Sequence, residues 1–394
     1  MMYYVGIDVA KDKHDCCIID SSGTIIVESL CIKNSLECFT RLVQRINSLT
    51  PNRDEIEIGL EDTGHYSNNL VGFFSNLYTV KTINPLLTAK HKKAETLRRT
   101  KTDKIDAIEI AKMLRIGTGF RPVVSIPYNH KELKSLSRYR TSLIRKRSVE
   151  RISIKRLISI LIPEYESVFK NVHSAASYAV LLAHPNKTSL STFHVPALTK
   201  LLWSTSRGHY GEDIAIKLRE IAGKSIGDTS EAKSYELTCT IKRAQSLAKE
   251  IAEVEHKIEE LLRISNPPIA TIPGISITAA ASIIGEIGDF SKFSSPNKIL
   301  AMAGLSPTTY QSGKYTGGHG KMEKRGSRYL RNTLFLAARA VSIYSPEFGQ
   351  YLLKKQMEGK HYFVALSHVA KKLVRLMYAL ETSHRPYEIK SITE

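Results

Sequence analysis

An α/β N-terminal domain, a helical middle with a coiled-coil stripe and a mainly α C-terminal part make up the fold class that this 394-residue sequence predicts. Three observations lead there. The chain opens on three strand-like runs with no helix between them, and it then alternates helix-like and strand-like segments. From residue 129 onward its apolar residues recur every three or four positions instead of every second one. With 42% hydrophobic residues the chain can bury cores for two or three domains.

Segments 3–9, 14–20 and 24–32 are rich in Val, Ile, Tyr and Cys and are separated by Lys-Asp-Lys and Ser-Ser-Gly turns, which predicts a meander. Segment 35–49 carries Leu36, Phe39, Leu42, Val43 and Ile46 at helical spacing, and a strand at 56–61 follows. A helix at 68–77 leads into a strand at 78–83, closed by Asn84-Pro85, and a further helix covers 103–116. Three antiparallel strands followed by alternating helix and strand is the order of an RNase H-like α/β fold, in which the first and fourth strands are neighbours. This domain is expected to span residues 1–118, the helical middle 119–265 and the C-terminal part 266–394.

The middle opens with a basic helix over 129–162 whose stripe is Leu133, Leu136, Leu143, Ile152, Leu157 and Leu161, and Pro163 ends it. Segment 164–232 mixes short apolar runs with Pro185, Pro196 and glycines, and reads as an inserted helical region. Over 237–262, Leu237, Ile241, Ala244, Leu247, Ile251, Val254, Ile258 and Leu261 recur every three or four residues. That stripe suits a coiled coil between two chains, with a long helix packed on its own chain as the plainer alternative. The C-terminal part begins with Ile272-Pro-Gly-Ile-Ser276 and the apolar run 277–287, a turn whose backbone N–H groups would suit a phosphate. A glycine-rich loop over 310–327 and helices near 328–343 and 360–381 complete the chain.

A formal charge of +19 points to a polyanionic partner, because clustered Lys and Arg release the counterions condensed on a phosphate backbone. Its distribution is uneven: residues 1–63 hold 11 acidic and 6 basic side chains, whereas residues 129–159 hold 10 basic and 2 acidic. An acidic head before a basic body predicts a metal-binding module beside a nucleic-acid-binding one. Five cysteines without metal-ligand spacing (Cys16, Cys17, Cys31, Cys38, Cys239) read as reduced thiols, which argues against disulfide or zinc frameworks. No run approaches the roughly 18 apolar residues of a membrane span, and the N-terminus has neither a basic leader nor a cleavable apolar region, so a cytoplasmic protein is expected.

Asp8 ends the first apolar strand and Glu61 ends the strand 56–61, while Asp103 and Asp106, three apart, share a helical face. In an RNase H-like sheet Asp8 and Glu61 lie side by side with the Asp103 helix packed across them. Four carboxylates without His or Cys would require Mg²⁺ or Mn²⁺ to relieve their repulsion. Asp62 should face away by strand alternation, and Asp103 alone could be a helix-dipole residue. Lys90, Lys92, Lys93, Arg98, Arg99 and Lys101 form a basic approach to the acids. Arg138, Arg140, Arg145, Lys146, Arg147 and Arg151 make the basic helix a second nucleic-acid surface. Ser312, in Tyr310-Gln-Ser-Gly-Lys-Tyr-Thr-Gly-Gly-His-Gly-Lys, lies in a loop able to approach a phosphate backbone, among Lys314, Lys321, Lys324, Arg325, Arg328 and Arg331. On its own such a serine reads as a turn residue, and Ser327 reads as the N-cap of the following helix.

Gly6-Ile-Asp8, Glu61 with Thr63-Gly64, Asn84-Pro85, Lys101-Thr-Asp103-Lys-Ile-Asp106-Ala, Ile272-Pro-Gly-Ile, Gly304-Leu-Ser-Pro307 and Tyr310-Gln-Ser312-Gly together resemble the Piv-type DNA invertases and the IS110-like insertion-sequence transposases. The resemblance covers roughly 1–118 and 265–381 and leaves the middle unmatched. It implies a RuvC-like domain whose DEDD quartet is Asp8, Glu61, Asp103 and Asp106, and a nucleophilic serine at Ser312. It further implies DNA as substrate, Mg²⁺-assisted chemistry through a phosphoserine, a dimer or tetramer at the nucleoid and, for insertion-sequence members, a structured noncoding guide RNA. The chain departs from the pattern at Ser276, where a second glycine is usual, and at Asp62, where alanine is common. Rival expectations are a RuvC-like nuclease or water-using transposase in which Ser312 only contacts phosphate, and a non-catalytic nucleic-acid-binding assembly factor.

Overall fold

The computed structural model describes residues 1–61, 66–95, 102–122, 128–307, 311–312, 315–316 and 322–388. They divide into two compact units, Met1–Ser125 and Ile126–Glu394. None of the described helices is long and apolar enough to cross a membrane.

The first unit is a mixed α/β sheet. Its elements are β1 (Tyr3–Val9), β2 (Lys13–Asp20), β3 (Ile25–Lys33), α1 (Leu36–Asn47), β4 (Ile56–Glu61), α2 (Asn68–Phe74), β5 (Thr79–Ile83), α3 (Pro85–Glu95), α4 (Asp103–Ile116) and β6 (Phe120–Pro122). The strand order is β3-β2-β1-β4-β5-β6. β1 runs antiparallel to β2 and parallel to β4, which makes the first and fourth strands neighbours as expected. One sheet face buries Val5, Ile7, Val9, Cys16 and Ile18 with Phe39, Leu42 and Ile46 of α1. The other face takes α4. Gly6 permits this: a Cβ there would lie 2.3 Å from the Ala107 carbonyl oxygen and 2.4 Å from the Ala111 nitrogen, so only glycine lets the helix axis come so close. Strand alternation therefore turns Asp8, two residues on, to the face that α4 covers.

Two elements were not foreseen. Pro85, read as the closure of a strand, opens α3, where its missing N–H costs nothing. β6 adds a sixth strand, antiparallel to β5.

Among its described residues the second unit is helical apart from one hairpin and the bridge at its root. α5 (Tyr128–Leu161) leads to α6 (Ala175–Ala183), α7 (Lys187–Ser191), α8 (Val195–Ser206) and α9 (Glu212–Lys224), and α10 (Glu231–Ser265) returns. Then come α11 (Ile277–Ile287), α12 (Pro296–Ala303), β7 (Gln311–Ser312), β8 (Tyr315–Thr316), α13 (Arg328–Tyr344), α14 (Pro346–Met357) and α15 (Tyr362–Ser383). α5 and α10 form a long antiparallel pair with a separate core at each end. Ile154, Leu157 and Leu161 join Leu237, Ile241 and Ala244 in a core with α6, α8 and α9. Leu133 and Leu143 join Ile251, Val254, Ile258 and Leu262 in a core with α11 to α15.

The α10 stripe, expected to pair two chains, is thus buried inside its own chain. The apolar face of α5 runs the opposite way along it and satisfies it first. Ile152, placed by its spacing in the α5 stripe, is instead 70% exposed, because nine residues past the buried Leu143 it has turned to about the opposite side of the helix. The Ile272-Pro-Gly turn is also an internal joint: a Cβ on Gly274 (φ +92°) would lie 2.9 Å from the Ala340 and Val341 backbone of α13. Ser276, the departure from the family's glycine, caps α11 by accepting the Ala279 N–H at 3.2 Å.

Candidate active site

The α4-facing side of the sheet collects acids. Asp8 of β1 is paired directly with Asp15 of β2, and Glu61 ends β4 one step past the Ile7–Leu60 pair. α4 contributes Asp103, Asp106 and Glu109, spaced by three along one face. Asp106 and Glu109 are buried, whereas Asp103 is half exposed. Thr102 caps the helix by accepting the Ile105 N–H at 3.3 Å, so α4 starts at the acids.

Four acids of this face, two from the sequence reading (Glu61 and Asp103) and two beside them (Asp15 and Glu109), meet protein groups. Lys13 Nζ lies 3.9 Å from a carboxylate oxygen of Asp15 and 3.9 Å from one of Asp103. The buried Thr88 hydroxyl, on α3, donates to Glu61 Oε1. Glu109 is 2.8 Å from Lys112 Nζ and 3.8 Å from His91 Nδ1. Among the described residues, no group of three or more His, Cys, Asp and Glu side chains is arranged to hold a metal ion. The predicted quartet therefore lies along one sheet face and one helix without closing into a ligating cluster. The donors are all carboxylate oxygens, and this chemistry fits a hard divalent cation.

Asp15 and Glu109 were missed. Antiparallel pairing across β1 and β2 places Asp15 beside Asp8, a signal that requires the register and not just the strand. Glu109 could have been found, since it continues the three-residue spacing of Asp103 and Asp106. Asp62, Arg98, Arg99 and Lys101 lie outside the described residues, as do the side chains of Lys92 and Lys93 on α3.

The expected serine loop contains a β-hairpin. Ser312 pairs with Tyr315 and Gln311 with Thr316, and Pro307 pairs with Met322 nearer the root. Below that, the Glu323 N–H donates to Ser306 O at 3.0 Å, the Lys324 N–H to Gly304 O at 3.1 Å and the Ser327 N–H to Met302 O at 2.8 Å. Arg331 Nη1 fastens the root by donating to the Ala303 carbonyl at 2.9 Å. The strand pairing therefore puts Ser312 opposite Tyr315, between segments whose flanking residues 302–307 and 322–327 are hydrogen-bonded to each other. Its side chain, Lys314 and Lys321 lie outside the described residues.

Ser327 caps α13 as expected, accepting the Leu330 N–H at 3.1 Å, and it donates to Glu286 Oε2 at 2.7 Å. Glu286, on α11, is only 3% exposed and also receives Arg138 Nε at 2.5 Å and Nη2 at 3.0 Å. Burial pushes its carboxyl up, but hydrogen bonds from Arg138 and Ser327 outweigh that and hold it below the usual glutamate value. Arg140 is likewise held by Glu255 of α10 at 2.6 Å. Arg138 and Arg140, predicted to hold nucleic acid, instead fasten α5 to its neighbours. Lys146, Arg147 and Arg151 stay on the α5 surface, with Arg151 beside the Tyr178 hydroxyl.

Arg145, Lys324 and Arg328 converge on a groove of about 1560 Å³, together with Arg339 and Lys371, which the sequence analysis did not single out. Among the described residues none of these five meets a carboxylate partner. The one acid lining the groove, Glu358, is bound by Lys355 at 2.8 Å and Lys360 at 2.7 Å. Those two lysines hold it down to about 2.

Comparison with known proteins matches both ends of the chain. Residues 5–163 fit the family model DEDD_Tnp_IS110, described as a transposase. Residues 266–353 fit the "Transposase IS116/IS110/IS902 family". The chain is similar to the "Insertion element IS116 uncharacterized 44.8 kDa protein" of Streptomyces clavuligerus, 24% identical over 96% of this chain and 94% of that protein. It is similar to the "Pilin gene-inverting protein" of Moraxella lacunata, 24% identical over 98% of this chain and 97% of that protein. It also resembles the "Insertion element IS900 uncharacterized 42 kDa protein" of Mycobacterium paratuberculosis, 21% identical over 99% and 98%.

Proposed function

From the premise that the chain belongs to the IS110 transposase family and is a DNA-acting transposase or recombinase, we propose that it cuts and rejoins DNA through a phosphoserine. The observation that carries this is α4 seated on Gly6, which turns Asp103 and Asp106 toward the sheet face bearing Asp8 and Glu61. The strand order supports an RNase H-like reading of that domain, and the stiff root of the hairpin supports Ser312 as a positioned nucleophile.

In this proposal Asp8, Glu61, Asp103 and Asp106 hold Mg²⁺ or Mn²⁺, with Asp15 and Glu109 beside them. The cation supplies charge stabilisation at the phosphate and lowers the cost of bringing the acids together. The Ser312 hydroxyl gives its proton to a neighbouring base, and its oxygen bonds to a DNA phosphorus as the bond to the leaving deoxyribose oxygen breaks. That oxygen takes up a proton. Attack by a second DNA end reverses the exchange, so the phosphodiester energy is conserved.

The acids and Ser312 belong to different units, so a composite site can form within one chain or between the subunits of a dimer or tetramer. For insertion-sequence activity a structured noncoding RNA would select the DNA, with Lys146, Arg147 and Arg151 as its contact. Action on DNA would place the protein in the cytoplasm at the nucleoid. The pilin-inverting relative favours site-specific inversion as the second reading.

The test is covalent trapping on end-labelled DNA with Mg²⁺. Protein joined to DNA in the native chain and absent in Ser312→Ala is the expected result. Strand cleavage that persists in Ser312→Ala supports water as the nucleophile and removes the serine.

A further inference from the structure

The groove beside the serine hairpin carries more than cations. Its floor and rim include Phe335, Tyr362 and Phe363, and its edge includes Pro307 and Met322, the pair at the root of the hairpin. Phe363 is 64% exposed. Its ring lies 5.4 Å from that of Tyr362, edge to face at 72°, and 5.8 Å from that of His361 at 30°, so the exposed Phe363 face is backed by two further rings at the start of α15. So large an apolar ring left in water is surface that a ligand would gain by covering.

Helical spacing explains how the two kinds of side chain come together. On α13, Arg328, Phe335 and Arg339 follow one another at seven and four residues, a single face that alternates charge and ring. On α15, Phe363 and Lys371 lie eight apart on one face. Cations flank rings on both walls.

We infer that this groove seats an unpaired stretch of DNA strand, a base stacked on the exposed Phe363 ring and its phosphates on Arg328, Arg339 and Lys371. A duplex presents phosphates outward and hides its base faces, so it would meet the cations and leave the rings in water. A single strand satisfies both, because every base has a face to stack and the backbone tracks the charges. A second copy of this chain is a poor occupant, since an isologous contact would bring the same unpaired cations against themselves. The inference deepens the recombination proposal and rests on it only for the strand being DNA: nucleotides beside the scissile phosphate are opened and held while the hairpin acts.

The test uses the full-length protein and fluorescence anisotropy with an oligothymidylate of about 16 nucleotides, a duplex of equal length and the matching oligouridylate. Phe363→Ala should weaken oligothymidylate binding by roughly tenfold and change duplex binding by less than about twofold, while Phe363→Trp restores the affinity. Lys371→Glu should weaken both DNA ligands and flatten the salt dependence. Trp203→Ala, which removes an exposed ring on α8 of the separate helical bundle, should change nothing. An unchanged oligothymidylate affinity in Phe363→Ala, or an equal loss on duplex, overturns the inference. A loss confined to oligouridylate overturns the assignment to DNA. Failure of the covalent trapping assay with these binding effects intact would remove the serine chemistry and leave the groove standing.

Discussion

The acidic sheet face of the first unit and the basic groove of the second both gather like charges, yet they tolerate them differently. On the sheet, Lys13 stands between Asp15 and Asp103, Thr88 holds Glu61, and Lys112 holds Glu109. In the groove, Arg145, Lys324, Arg328, Arg339 and Lys371 meet no carboxylate among the described residues. Buried carboxylates cannot remain unsatisfied, because desolvation penalises the charge, whereas long cationic side chains keep their heads in water and their stems on apolar surface. The acids therefore carry protein partners that a cation would have to displace, while the cations stand ready for a polyanion.

The largest test of that contrast is loss of the acids. Asp8→Ala or Asp103→Ala should lower DNA joining by roughly a thousandfold or more, as should chelation of divalent ions, measured as rejoined product per protein. Normal joining under either condition would leave only the assembly-factor interpretation. Next comes the surface on which the acids sit. Gly6→Ala pushes α4 off β1 and should destabilise the first unit by about 3 kcal/mol, read as a lower melting temperature with loss of joining.

A smaller effect is expected beneath the groove. Glu286→Gln leaves Arg138 and Ser327 with a weaker partner and should cost about 2 kcal/mol in thermal unfolding. Because the folded-state value of Glu286 lies below the ordinary 4.5, its contribution is present above that pH and disappears as pH falls through the folded value. Native and Glu286→Gln proteins should therefore converge in melting temperature as the pH drops below about 4.5. A constant gap down to acid pH would show that the carboxylate charge plays no part. The smallest effect concerns Lys13, which is exposed and 3.9 Å from its partners. Lys13→Ala should change stability by less than about 0.5 kcal/mol and raise Mg²⁺ affinity, measured by calorimetry. Weaker Mg²⁺ binding would mean the lysine positions the acids instead of competing for them.

Much of this was visible in local sequence. Strand alternation and the helix–strand sequence placed Asp8 beside Glu61 and beneath the Asp103 helix, and Ser327 and Pro163 acted as the caps and stops their chemistry favours. What stayed hidden depended on partners distant in sequence. Arg138 and Arg140 look like backbone-binding residues until Glu286 and Glu255, over a hundred positions away, are brought against them. The α10 stripe has the same spacing whether it meets another chain or α5. α3 escaped because a proline after a strand ends one element and equally begins another. The hairpin at Ser312 was concealed by glycines that read as irregular loop.

The pair formed by α5 and α10 spans about 50 Å, given 34 residues in α5 and the rise of an α-helix. Its two cores share no buried side chain, and between them the helices are tied by ion pairs such as Arg243–Glu150. The distal bundle is consequently a head on a mast: its core is separate from the one that carries the hairpin and groove, so residues 163–230 are expected to tolerate change wherever Ile154, Leu157, Leu161, Leu237 and Ile241 stay covered.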